Sequence, residues 1–124
     1  PLQIGIEVAV PQTATGGRRK REVCKDLVIW PRPAMTCWGK PGVPLLQPLA
    51  IIEWKLCGGL DRSGGCSNEL DIAWLQDWVG RAAAAEPIVG YAALVVLQSP
   101  KNRRVELTRI RRGETSTCQV LDGE

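Results

Sequence analysis

Residues 49–59 read LAIIEWKLCGG. An apolar run is followed by Glu53, Trp54 and Lys55, then by Leu56, Cys57 and a glycine pair. The run predicts a buried strand over 49–56. Side chains alternate along a strand, so Glu53 and Lys55 share one face and Trp54 takes the other. Burying a lone carboxylate or ammonium is expensive. Neighbours at i and i+2 are not ideally spaced to neutralise each other, so a third partner is expected.

The preceding strand supplies a candidate. In KDLVIWP, residues 25–31, Asp26 stands at the start of the apolar run Leu27-Val28-Ile29-Trp30. Residues 22–30 read as a strand that Pro31 and Pro33 terminate. Residues 4–10, IGIEVAV, alternate well enough for another, with Ile4, Ile6, Val8 and Val10 on one face and Glu7 on the other. These two strands are expected to pair as an antiparallel hairpin around a polar, then basic, tip at 12–21. Residues 31–48 hold five prolines and read as an extended connection.

Downstream, residues 57–67 contain four glycines and form a loop. They lack the Gly-Lys-Ser/Thr ending of a phosphate-binding P-loop. Residues 68–85 predict a helix, with Ser67 or Asn68 as its cap and Glu69 and Asp71 favouring its positive end. Its apolar stripe comprises Leu70, Trp74, Leu75, Trp78, Val79 and Ala82. Residues 88–97 read as a buried strand. Residues 105–111 and 116–121 read as two final strands around Arg112-Gly113. This order predicts an α/β fold: a mixed central β-sheet with a crossover helix.

The 124 residues suit a single domain over 1–124, and the balance of 44% hydrophobic and 23% charged residues argues against disorder. Eleven of the 16 basic residues are arginine, many of them clustered. Arg18, Arg19, Lys20 and Arg21 form one group, while Arg109, Arg111 and Arg112 form another near the C-terminus. Such groups can track a nucleic-acid backbone or be solvated loop charges. The chain has no histidine. That excludes Ser-His-Asp and Cys-His nucleophile systems and nearly excludes the usual zinc sites. Of the five cysteines, Cys57 and Cys66 could bridge the glycine-rich loop. Buried or free thiols in a reducing compartment are the preferred reading, with a cytoplasmic location and no membrane span.

Asp26, Glu53 and Lys55 together make a coherent site. Two carboxylates on neighbouring strands suit a hard cation such as Mg²⁺, with the Trp54 backbone carbonyl as a further ligand. Lys55 would orient an attacking water or neutralise developing charge on a phosphate. The bland alternative is a structural ion pair between Asp26 and Lys55.

Asp26 in KDLVIWP and Glu53 and Lys55 in IIEWK, followed by a glycine-rich loop, a helix and an apolar strand, resemble the PD-(D/E)xK nuclease superfamily. The resemblance covers roughly residues 4–97. It implies a restriction-endonuclease-like fold and a Mg²⁺-dependent (or Mn²⁺-dependent) phosphodiesterase acting on nucleic acid, DNA in the first instance. A homodimer would follow for double-strand cutting. Lys25 stands where the family has proline before the aspartate, and the family's N-terminal helix is missing. An upstream domain or a partner would supply that helix. The alternative is a catalytically inactive nuclease-like module that binds nucleic acid or protein.

Overall fold

The computed structural model describes residues 3–13, 22–34, 37, 48–58, 66–82, 87–99 and 102–121. Six strands form one sheet in chain order: β1 (Gln3–Pro11), β2 (Glu22–Trp30), β3 (Ala50–Gly58), β4 (Val89–Ser99), β5 (Asn102–Arg111) and β6 (Glu114–Leu121). The single helix among the described residues, α1 (Glu69–Arg81), lies between β3 and β4 in the chain.

The α/β, restriction-endonuclease-like architecture expected from the sequence is not what forms. Only β3 and β4 pair in parallel, and the other four pairings are antiparallel. The class is therefore a mostly antiparallel, strand-dominated sheet with one helix against it. The physical reason lies at the C-terminus, where β4, β5 and β6 continue as a meander. Gly113, at φ +75°, makes the tight turn between the last two strands. No second helical layer is present among the described residues to balance α1.

The core lies between α1 and one face of the sheet. Trp74, Leu75, Trp78 and Val79 of the helix pack with Val10, Val28, Trp30, Ile51, Ala92 and Ile110. Trp74 and Trp78 stack with ring centroids 5.0 Å apart, in the core role their helical spacing predicts. The helix is shorter than the expected 68–85, and Leu70 is 87% exposed rather than part of the buried stripe. At its start the Ser67 hydroxyl accepts the Glu69 N–H at 3.1 Å. The Asn68 side chain makes no capping bond.

The helix comes close to the sheet at Gly90. A Cβ there would stand 3.2 Å from both Cβ and Cδ2 of Leu75, which is itself fully buried. Gly90→Ala should destabilise the protein by about 1–3 kcal/mol through overpacking. Urea unfolding measures this, and a neutral result would mean that α1 is free to lift.

The expected alternation of β1 fails in an informative way. Ile4 and Ile6 are 61% and 72% exposed, whereas Val10 is fully buried. Between them Glu7 adopts φ +50°, a left-handed conformation uncommon for a residue other than glycine. The β1–β2 ladder lacks a pair at this point, between Ile6↔Leu27 and Val8↔Lys25. The alternation slips by one residue in both strands. On β2, Trp30 and Val28 face the core, and beyond the slip it is Lys25 that is buried.

The other face of the sheet is apolar at its centre and carries Arg103, Arg109, Arg111 and Glu114 toward its ends. Cross-strand register puts Trp54, Ala93, Leu107 and Cys118 in one row and Leu56, Val95, Val105 and Val120 in the next. Ile4 and Ile6 extend the same face through their partners Ile29 and Leu27.

Candidate active site

The β2–β3 ladder runs from Ile29↔Ala50 to Leu27↔Ile52 and stops. Asp26 and Glu53 are the next positions in that register. The strands no longer exchange backbone hydrogen bonds there, and a side chain takes over. The Trp54 N–H donates to Asp26 Oδ2 at 2.8 Å.

Glu53 follows Ile51 on the helix face and is only 8% exposed. Its Oε1 lies 2.7 Å from the Nζ of Lys25, which the slip in β2 has turned inward. The contact is a buried ion pair, with the two side chains 4% and 10% exposed. The same ammonium stands 3.8 Å from the centroid of the Trp74 ring, whose electron-rich face supports it. Burial pushes the Glu53 carboxyl up to about 7. Lys25 opposes that rise, while the negative charges of Asp26 and Asp71 add to it.

Lys55 is exposed, and its Nζ donates to the Ser67 carbonyl at 2.9 Å, just before α1. Cys57 and Cys66 are bonded, with Cα atoms 5.9 Å apart, in contrast to the free thiols preferred from the sequence. The end of β3 is thus tied to the start of α1 twice. Opening the bridge with reductant, or by Cys57→Ser, should cost about 2–3 kcal/mol in the chain-entropy account of a loop this short. Urea unfolding with and without reductant measures it. Identical midpoints would show that the bridge contributes nothing to the fold.

The structure therefore brings Asp26, Glu53 and Trp54 together and ties Lys55 to the loop beyond them. It adds two groups that sequence reasoning missed as site members, Lys25 and Asp71. Lys25 was visible as the residue before Asp26, but strict alternation points it away from the core. Asp71 looked like a helix-start charge alone. Arg18, Arg19, Lys20 and Arg21 lie outside the described residues. Arg109 pairs with Glu114 at 3.3 Å, and Arg112 donates to the Ala82 carbonyl at 3.1 Å. Exposed Arg111 and Arg112 line, with Gln76 and Thr115, a cavity of about 310 Å³.

Among the described residues no group of three histidine, cysteine or carboxylate side chains is arranged to hold a metal ion. Asp26 and Glu53 supply two carboxylates, the oxygen donor type that Mg²⁺ prefers. That ion is commonly held by one or two carboxylates and completes its shell with water and phosphate oxygens. Burial raises the Glu53 carboxyl, and the negative charges of Asp26 and Asp71 add to the rise; a cation would relieve that added repulsion. Among the described residues no helix is long and apolar enough to cross a membrane.

Fold and site together define a strand-dominated domain with a carboxylate–lysine cluster where two strands part. No family model, curated protein or solved structure matches the chain.

Proposed function

We propose that the protein is a metal-dependent nuclease that hydrolyses phosphodiester bonds of nucleic acid, DNA in the first instance. The observation that carries this reading is the register of β2 and β3. It sets Asp26 beside Glu53 at the point where the ladder ends, with lysines 25 and 55 on either side. The PD-(D/E)xK resemblance of these residues supports the same chemistry without extending to the fold.

Asp26 and Glu53, with the Trp54 carbonyl, would hold Mg²⁺ or Mn²⁺. A cation bound there acidifies a water and neutralises charge on a phosphate oxygen. Lys55, two positions beyond Glu53 on the same face, is the cation available to the substrate phosphate. Lys25 acts behind the site, balancing the buried Glu53 charge. Arg111 and Arg112, at the far end of the sheet, would contact the backbone of a bound strand.

The test is cleavage of supercoiled plasmid with Mg²⁺ or Mn²⁺, against EDTA. Nicking that requires the metal is the expected result. A second reading has its own support, because both carboxylates already have protein partners: Glu53 the Lys25 ammonium, Asp26 the Trp54 N–H. Folded protein that never nicks, yet retards DNA in a salt-dependent way, would overturn the enzyme and establish a binding module.

A further inference from the structure

Two links join the end of β3 to the residues just ahead of α1, and one of them is Lys55 itself. The other is the disulfide from Cys57 to Cys66, with Cα atoms 5.9 Å apart. Lys55 lies two residues before Cys57, and the Ser67 carbonyl that its Nζ meets at 2.9 Å lies one residue after Cys66. Packing contributes little there. The buried residues of α1 begin at Trp74, and Leu70 in its first turn is exposed. Ahead of the helix Asn68 is buried, while Cys66 and Ser67 are half-buried. Without the bond, the covalent path between the two segments is the stretch 58–65, which holds four glycines, the residue that restrains a chain least.

We propose that the Cys57–Cys66 bond is a redox latch on Lys55. Closed, it keeps the Ser67 carbonyl where the ammonium donates to it, so the charge is fixed on the face that Lys55 shares with Glu53. Open, it releases the carbonyl, and the long lysine stem regains rotamer freedom. The consequence for catalysis rests on the reading of Lys55 as the cation for the substrate phosphate. A charge already held in place stabilises the transition state without a further ordering cost. Cys57 and Cys66 are then positioning residues. The reductant is a small dithiol. One of its thiolates attacks a sulfur of the bridge, the bond between the cysteines breaks, and a mixed disulfide forms. Its second thiolate displaces the remaining cysteine sulfur. Both cysteines end as thiols, carrying the two protons of the dithiol, which is oxidised to a cyclic disulfide. Cys24, Cys37 and Cys118 are free thiols, so the reagent has no other bond in the chain to act on.

Brief acylation of the free protein with acetic anhydride, read at each lysine by mass spectrometry, tests the latch without nucleic acid. Lys55 should react several-fold faster after dithiol treatment than before. Lys25, only 4% exposed, should stay protected in both states and report an intact core. The same treatment, with the dithiol removed under argon, should lower metal-dependent plasmid nicking several-fold in the wild type. It should leave the residual nicking of Lys55→Ala unchanged. The double variant Cys57→Ser/Cys66→Ser should match the reduced wild type and ignore the dithiol. Equal labelling of Lys55 in the two states would overturn the latch. So would an equal loss of nicking in the wild type and Lys55→Ala, which marks general loosening, and so would wild-type nicking that the dithiol leaves unchanged. Lys55 labelling that responds to the dithiol in a protein that never nicks would sink the nuclease reading and leave the latch standing.

Discussion

Lys25→Met is expected to cost about 3–5 kcal/mol at pH 8, because it strands the Glu53 carboxylate in the core without its counter-charge. Most of that loss should disappear near pH 5. In the folded protein Glu53 titrates at about 7 against an ordinary 4.5, with burial as the main cause. An acid raised in this way binds its proton more tightly when folded. Below pH 4.5 it is neutral in both states and carries no penalty. Between 4.5 and 7 the unfolded chain ionises first, so stability falls as pH rises, and above 7 the penalty is present in full. The wild type should show this slope itself. Without Lys25 the carboxyl is pushed higher still, so the slope extends further upward. Urea unfolding of both proteins at pH 5 and pH 8 measures the effect. An equal loss at both values would mean that packing of the lysine stem, and not its charge, holds the site together.

Asp26→Asn is expected to reduce metal-dependent plasmid nicking by about 10²–10³-fold, since metal stabilisation of the transition state is worth several kcal/mol and each 1.36 kcal/mol is tenfold. The fold should survive. The amide oxygen that the substitution introduces can still accept the Trp54 N–H, which Asp26 Oδ2 now takes at 2.8 Å. Asp26→Ala removes that acceptor as well. It should therefore be inactive and also less stable, by about 1–3 kcal/mol for the orphaned backbone donor. Relief of repulsion between the Asp26 and Glu53 carboxylates would by itself leave the alanine variant as stable as wild type or more so. The hydrogen bond reverses that expectation. Cleavage at the wild-type rate by Asp26→Asn would leave Asp26 a backbone cap and nothing more.

Much of this architecture was legible before any coordinates. The apolar runs over 22–30, 49–56 and 88–97 each became a strand, and the stripe of Trp74, Leu75, Trp78 and Val79 became the buried side of α1. Proline and glycine mark boundaries for local reasons, as at Pro31 after β2 and Gly113 before β6. The class was misread because one crossover helix suggested helical layers, whereas the strand-rich C-terminus continued an antiparallel meander. Leu70 was placed in the core by periodicity, but it sits in the first turn, beyond the reach of the sheet.

The sequence by itself determined where chain segments become strands or helix, and that acidic and basic groups gather at the end of β3. Those properties depend on side-chain period and backbone preference over a few residues. Only the tertiary structure decided which lysine meets Glu53. A left-handed Glu7 on β1 interrupts its pairing with β2 and shifts the alternation of both strands, so Lys25 turns inward. Lys55, on β3, reaches the Ser67 carbonyl instead. Inward and outward in a strand are fixed by counting from its neighbours, and one irregularity shared by two paired strands reverses that count in both beyond it while their register stays the same.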